Sequence, residues 1–313
     1  MADKTKIVVV CGPTATGKTD LSIYLAERFG GEIISADSLQ VYRGLDIGTA
    51  KATVQEQERV RHHLIDVLDP QQEFNVHSFS LMAAEAVKDI RGRGLVPFIT
   101  GGTGLYIESF VTGTALAQHH SDPSVRASLQ KELEDKGARH MYSRLVRIDP
   151  EYALKVHPNN TLRVIRAIEI YELTGYNMTY HIERSRPSEK PYDTLILGLS
   201  YTDRKKMYGM IDSRVDRMVE NGLLDEARLV WENRDRFTTS ANAIGYKEFF
   251  PYFEGRAGIS RCTDEVKKAS RHYAKRQLTW FSHMKDIHWL YRDQGSVEKD
   301  AEELVRRFLK DGF

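Results

Sequence analysis

Residues 7–31 read IVVVCGPTATGKTDLSIYLAERFGG, and the order of these letters decides the fold class. Ile7, Val8, Val9 and Val10 form an unbroken β-branched run. That is the pattern of a strand buried on both faces, as in a parallel sheet. Gly12-Pro13-Thr14-Ala15-Thr16-Gly17-Lys18-Thr19 then fits G-x-x-x-x-G-K-[ST]. Leu21, Leu25 and Phe29 follow at helical spacing, and Gly30-Gly31 ends the helix. Strand, glycine-rich turn and helix together let consecutive backbone N–H groups wrap phosphate oxygens at a helix N-terminus. Gly12, Thr14, Ala15, Thr16 and Gly17 would supply backbone, Lys18 a point charge, and the Thr19 hydroxyl a ligand for Mg²⁺. The loop alone leaves its ligand open, with a nucleoside triphosphate as the default.

Outward from this unit, strand candidates recur at residues 32–35, 63–68, 96–100 and 194–200, with helical spacing over 79–91 and from about 105. Strand–helix alternation with apolar strands predicts a doubly wound α/β domain with a parallel sheet, of the P-loop NTPase-like kind. Residues 123–180 carry no strand candidate of length, only amphipathic helices at 125–136, 140–148, 151–156 and 162–173. The expected organisation is a core of residues 1–112 and 191–313, ending in long helices, with an all-helical insertion at 113–190. Those later helices are expected at 203–221, 224–233, 263–284 and 296–310, with a short strand at 287–291.

The chain of 313 residues is 41% hydrophobic, enough for a sizeable core. Its 45 basic and 44 acidic side chains leave a net charge of +1, so any nucleic-acid surface must be a local one. Cys11 and Cys262 stand alone, with no metal-ligand or disulfide spacing. No segment approaches the roughly 20 apolar residues of a membrane span, and the apolar run after the N-terminus is too short for a signal-peptide core. A cytoplasmic, monomeric protein without membrane contact is the expectation.

Asp37 follows the second strand and should lie at the carboxyl edge of the sheet, where open α/β sheets bind ligands. A carboxylate beside bound phosphates needs a metal ion or a proton to accept. A turn or helix-capping aspartate is the plainer alternative, but the surrounding Ser35-Ala36-Asp37-Ser38-Leu39-Gln40 is rich in polar side chains for that role. Asp66 is the nearest approach to a second metal-binding aspartate at a strand end.

Seven stretches in order along nearly the whole chain resemble the tRNA dimethylallyltransferases. They are GPTATGKT at 12–19, ISADSLQVYRGLDIGTAK at 34–51, HHLIDVLDP at 62–70, ITGGTGLYI at 99–107, LRVIRAIEIYELTG at 162–175, AIGYKEF at 243–249 and AKRQLTWF at 274–281. Thr16 replaces a serine and keeps a hydroxyl, Ala52 replaces a proline, and Asn160 stands where an aspartate is common. No zinc-finger pattern of the eukaryotic members is present, so a bacterial-type member is implied.

The resemblance implies transfer of a dimethylallyl group from dimethylallyl diphosphate to the exocyclic N6 of the adenine 3′-adjacent to the tRNA anticodon, with Mg²⁺. It makes residues 12–19 a diphosphate clamp, Asp37 the general base, and Thr103 and Arg214 partners of the departing diphosphate. It also implies that Asp37, Ser38, Leu39, Gln40, Thr103, Arg126, Arg163, Arg166, Arg271, Arg276 and Gln277 meet tRNA. The chemistry fits: the adenine amine is a weak nucleophile whose attack leaves a surplus proton and an anionic leaving group. An anticodon-loop base must also leave its stack, at a cost of a few kcal/mol, which calls for backbone clamps. Solvated charged faces are the plainer account of the basic clusters, and Arg214 alone reads as a surface charge. Rival functions are a small-molecule kinase, a prenyltransferase for free adenine nucleotides, and a non-catalytic RNA-binding switch.

Overall fold

The computed structural model describes residues 4–114, 122–185 and 187–310. It divides into two compact units, Met1–Val111 with Pro191–Phe313, and Thr112–Lys190. The first unit is built on a six-stranded sheet of order β3-β2-β4-β1-β5-β6. The strands are β1 (Lys6–Cys11), β2 (Gly31–Ser35), β3 (His62–His63), β4 (Val96–Gly101), β5 (Asp193–Ser200) and β6 (Ile287–Tyr291). All neighbours are parallel. The chain winds from β1 to one side, through β2, β3 and β4, and later to the other side through β5 and β6, so β1 borders the switch point.

Helices cover both faces. Between β1 and β5 the first unit has α1 (Lys18–Phe29), α2 (Val54–Arg59), α3 (Val76–Gly92) and α4 (Gly104–Thr112). One face of β1, with Ile7, Val9 and Cys11, packs into a core with Phe79, Ala83 and Ile90 of α3 and Ile107 and Phe110 of α4. The other face, with Val8 and Val10, meets Leu21 and Leu25 of α1 and residues Ala301 and Val305 near the C-terminus. Burial on both faces is why β1 reads as a continuous apolar run rather than an alternating one. The expected strand at 63–68 is a correction: β3 stops at His63, because Leu64 (φ 61°) and Asp66 (φ 54°) take left-handed conformations. Asp66 is pulled instead to the buried Lys51, whose Nζ donates to it at 2.6 Å, and a single bridge joins Tyr42 to Leu68.

The second unit comprises α5 (Pro123–Ile148), α6 (Pro150–Ala153), α7 (Thr161–Thr174) and α8 (Met178–Ser185) around Leu129, Met141, Leu145, Ile165 and Ile168. Gly137 (φ 79°, ψ 168°) breaks α5 into the two segments that its sequence pattern predicts. Buried Asp149 caps α6 through Tyr152 N–H at 3.0 Å and accepts from the Thr179 hydroxyl at 2.7 Å, joining α6 to α8. The helix α8 was not foreseen, although Asn177 accepts from Tyr180 N–H at 2.9 Å at its start, a capping signal visible in the sequence. Asn160 accepts from Arg163 N–H at 3.3 Å, so the amide caps α7 where relatives are expected to carry an aspartate. The first unit resumes with α9 (Arg204–Glu220), α10 (Leu223–Glu232), α11 (Phe250–Phe253), α12 (Ile259–His283) and α13 (Val297–Lys310).

Phe79 is fully buried and stacks on Tyr106 with ring centroids 4.9 Å apart. Phe79→Ala is expected to lower stability by about 3–5 kcal/mol, read as a lower urea midpoint for loss of the first unit's tertiary signal.

Candidate active site

The carboxyl ends of β1, β2 and β4 meet where backbones approach without side chains between them. Gly12 (φ 137°) could not carry a Cβ, which would lie 2.3 Å from the Leu199 carbonyl oxygen on β5. At Gly101 an added Cβ would lie 2.1 Å from the Ala36 carbonyl oxygen. These contacts put residues 12–19 beside the segment that begins at Asp37.

The loop is braced from several elements. Lys18 Nζ and the Thr16 hydroxyl both donate to the Pro13 carbonyl, at 2.8 and 2.9 Å. Gln277, buried on α12, accepts from Thr14 N–H and donates to the Gly102 carbonyl, both at 2.9 Å. Arg214 on α9 donates to the Thr14 hydroxyl at 2.6 Å. Arg292, just past β6, donates to the Thr16 and Gly17 carbonyls at 3.0 and 2.8 Å. Sequence reasoning missed Arg292, yet a parallel strand at 287–291 must end at the same sheet edge as the loop, which was a usable signal.

Asp37 lies across from these cations. Its Oδ1 accepts from Leu39 N–H at 2.9 Å and Gln40 N–H at 3.4 Å. Burial raises its pKa above the usual carboxylate range, while those two N–H groups, Lys18 and Arg214 oppose the rise. Burial lowers the Lys18 ammonium to about 8, with Arg214 adding to the fall and Asp37 opposing it. Burial also lowers Arg214, against the pull of Asp37. Cys11 behind the loop is pushed up to about 12 by burial, so it is an inert thiol.

A cavity of about 980 Å³ opens over this edge. It is lined by Thr14, Ala15, Thr16, Gly17, Lys18 and Thr19 of the loop, by Asp37, Ser38, Leu39 and Gln40, and by Arg214, Arg276 and Gln277. Met210, Ile211, Val215, Met218, Ile244 and Val266 give it an apolar wall, the mixture expected of a small-molecule site. Thr103 is not among the lining residues, and its hydroxyl is buried beside the Tyr273 phenol. Gly12 lies behind the lining, fully enclosed.

The basic residues divide. Arg276 is exposed at the cavity, its guanidinium 5.5 Å from the Tyr273 ring centroid. Arg271 is not at the cavity and pairs with Asp212 on α9 at 2.5 Å, as Lys267 pairs with Asp216. Arg126, Arg163 and Arg166 belong to the second unit, where Arg126 and Arg163 are exposed and Arg166 binds the buried Glu169 at 2.7 Å. Arg214 is no surface charge, since it binds the phosphate loop. Phe281 and Tyr106 are core aromatics, and Trp280 is half-buried. Asp66 lies outside the cavity lining, held by Lys51.

For a divalent cation, the Thr19 hydroxyl offers a hard oxygen donor within the cavity, of the kind Mg²⁺ takes. Glu32, His63 and Asp89 also bring ligand atoms within 4.8 Å of one another. There the Arg93 guanidinium already binds Glu32 and Asp89, and none of the three lines the cavity.

Residues 40–284 match the family model described as IPP transferase, and residues 5–73 match that of isopentenyl transferase. The chain is 44% identical to the tRNA dimethylallyltransferase of Bacillus subtilis over 91% of its own length and 90% of that protein's. The crystal structure of the full-length tRNA isopentenylpyrophosphate transferase from Bacillus halodurans is similar with a TM-score of 0.73 and 40% identity, covering 98% of each chain. A eukaryotic dimethylallyltransferase acting on tRNA aligns with a TM-score of 0.81 and 30% identity, over 98% of this chain and 80% of that one. A phosphate loop facing a half-buried aspartate across one cavity, in a chain with this extent of likeness, places it: the chain belongs to the IPP transferase family, that of the tRNA dimethylallyltransferases.

Proposed function

We propose that this protein transfers a dimethylallyl group from dimethylallyl diphosphate to N6 of the adenine 3′-adjacent to the anticodon of tRNA. The observation that carries the reading is Asp37 in one cavity with Lys18, Arg214 and the loop amides. That pairing of a base with an anion clamp suits alkyl transfer from a diphosphate.

In this reading the bond between C1 of the allyl group and the diphosphate oxygen breaks, and the oxygen keeps the electron pair. A bond forms from C1 to adenine N6, and the surplus N6 proton passes to the Asp37 carboxylate. Lys18, Arg214 and the N–H groups of residues 14–19 receive the charge that grows on the leaving diphosphate. Mg²⁺, held by the Thr19 hydroxyl, would supply further neutralisation of that charge. The apolar cavity wall from Met210 to Val266 suits an isoprenoid chain and excludes water from a reactive allylic centre. Thr103, whose buried hydroxyl lies beside the Tyr273 phenol, has a donor to offer the same phosphates after a small movement.

On the nucleic-acid side, Ser38, Leu39 and Arg276 are the contacts available at the cavity, with Gln40 and Gln277 beside them as residues whose amides are engaged within the protein. Arg271 would contribute from α12, and Arg126, Arg163 and Arg166 from the helical unit. Arg166 and Arg271 would do so while paired to carboxylates that hold their heads in place. The same reading has a single copy acting in the cytoplasm, where tRNA is found, and the residues invoked all come from one chain.

Mass spectrometry of tRNA incubated with the purified protein and dimethylallyl diphosphate tests the reading, and an unmodified tRNA defeats it. Asp37→Ala is expected to lower turnover by about 10²–10⁴-fold, and a wild-type rate in that variant would remove Asp37 as the base.

The pH dependence follows from the two shifted groups. The base acts as carboxylate, so activity is present above the Asp37 pKa and lost as pH falls through it. Because burial raises that pKa, the acid limb of kcat/KM should lie above the ordinary aspartate value of about 3.9. Lys18 binds phosphate as the cation, so diphosphate affinity in the free protein should weaken as pH rises through about 8. Titration calorimetry with inorganic diphosphate between neutral and alkaline pH reads this directly.

A further inference from the structure

Glu226 on α10 does not line the cavity, yet it accepts more hydrogen bonds than a surface carboxylate needs. Its Oε2 accepts from Asp46 N–H at 2.7 Å and Ile47 N–H at 2.9 Å. Its Oε1 accepts from Gly48 N–H at 2.8 Å and from the phenol of fully buried Tyr246 at 2.7 Å. Bonds of this kind to an ionised acceptor are about twice as strong as neutral ones. They anchor a strap, residues 46–50, whose far end walls the cavity through Gly48, Thr49 and Ala50.

The strap is bonded in turn to the segment that carries Asp37. The Thr49 and Ala50 carbonyls accept from Gln40 Nε2 at 3.3 and 3.1 Å. Gln40 Oε1 accepts from the Ser35 hydroxyl at 2.8 Å, so the whole Gln40 amide is engaged. The backbone N–H of Gln40, with that of Leu39, holds Asp37 Oδ1. A path of hydrogen bonds, linked through the strap backbone and Gln40, therefore runs from Glu226 to one oxygen of Asp37, and among the described residues no backbone N–H donates to Oδ2.

We propose that Glu226 is a positioning residue for Asp37: it fixes the strap, the strap fixes Gln40, and the Leu39 and Gln40 N–H groups hold Oδ1 so that Oδ2 meets the reacting amine. The role rests on the reading of Asp37 as the base. It also accounts for the sequence Leu45-Asp46-Ile47-Gly48-Thr49-Ala50-Lys51 lying against the Ala243–Phe249 turn: Tyr246 of that turn shares the carboxylate that holds the strap.

The test is steady-state prenyl transfer to tRNA by the full chain, wild type beside Glu226→Gln and Tyr246→Phe, with folding checked by thermal unfolding. Glutamine keeps the size but turns an N–H₂ toward backbone N–H donors. Expected for Glu226→Gln is a fall in kcat of about tenfold or more, with the KM for dimethylallyl diphosphate within about twofold, since the phosphate loop's own bonds are untouched.

The acid limb should also move to higher pH, because the Leu39 and Gln40 N–H bonds lower the Asp37 pKa and would loosen. The other groups that face Asp37 are Lys18 on α1, Tyr106 on α4, Arg214 on α9, Tyr246 and Tyr273, and all remain in that variant. Tyr246→Phe, which removes one of the four bonds to Glu226, should shift the limb the same way by less. It decides the matter if Glu226→Gln does not fold.

A folded Glu226→Gln chain with wild-type kcat and an unmoved limb overturns the role. So does a fall in kcat with an unmoved limb and KM raised for both substrates, the mark of general loosening. A wild-type chain that prenylates no tRNA overturns the reading of the whole site, and this role with it.

Discussion

Two places where backbone touches backbone govern everything at the ligand-facing edge of this sheet. The Gly12 Cα sits against the Leu199 carbonyl, and the Gly101 Cα against that of Ala36. Without a Cβ at either position, β1 can lie tightly beside β5 and the end of β4 beside the segment leaving β2. The phosphate loop and Asp37 are thereby drawn to opposite sides of one cavity. A methyl group at either glycine would have to displace a backbone carbonyl, that of Leu199 in β5 or that of Ala36 just past β2. The apolar cores on the two faces of β1 supply the stability; these contacts determine what that stability holds in place.

The site is a balance of half-buried charge. Burial lowers the pKa of both Lys18 and Arg214, the Arg214 charge lowers Lys18 further, and Asp37 relieves both. Asp37 is raised by burial and relieved by them. The cations rest on neutral oxygens of the loop itself, the Pro13 carbonyl and the Thr14 hydroxyl. These bonds are weaker than those a phosphate would offer. An anion therefore replaces poor partners with good ones, and the surrounding bonds from Gln277 and Arg292 keep the loop from collapsing meanwhile.

The parts of the molecule that were legible from its sequence have short-range causes. The β-branched run at Ile7, the glycine spacing from Gly12 and the helical period after Lys18 each act within a few residues, and they specify strand, loop and helix. The strand expected at 63–68 failed for a reason no local pattern carries. Asp66 answers to a buried lysine fifteen positions earlier, and the backbone turns left-handed to reach it. Arg214 shows the same limit from the other direction. Its helix reads as a charged surface, and only the tertiary fold reveals Thr14 in front of it. Gln277, expected to meet RNA, spends both ends of its amide inside the protein, on Thr14 and Gly102. Glu226 carried no signal, because three of its four partners are backbone amides, which every sequence possesses.

The parallel register has a kinetic consequence. β1 pairs with β5, Val9 opposite Ile196, although the entire helical unit is threaded between them in the chain. Such a contact closes a very long loop, so it forms late and slowly compared with local pairings. During synthesis the glycine-rich loop emerges almost at once, but the carbonyl of Leu199 against which Gly12 rests is translated after the helical unit. The nascent chain thus carries a complete phosphate-loop sequence long before it can hold that loop in shape. Anion binding is one of the last properties the protein acquires as it is made.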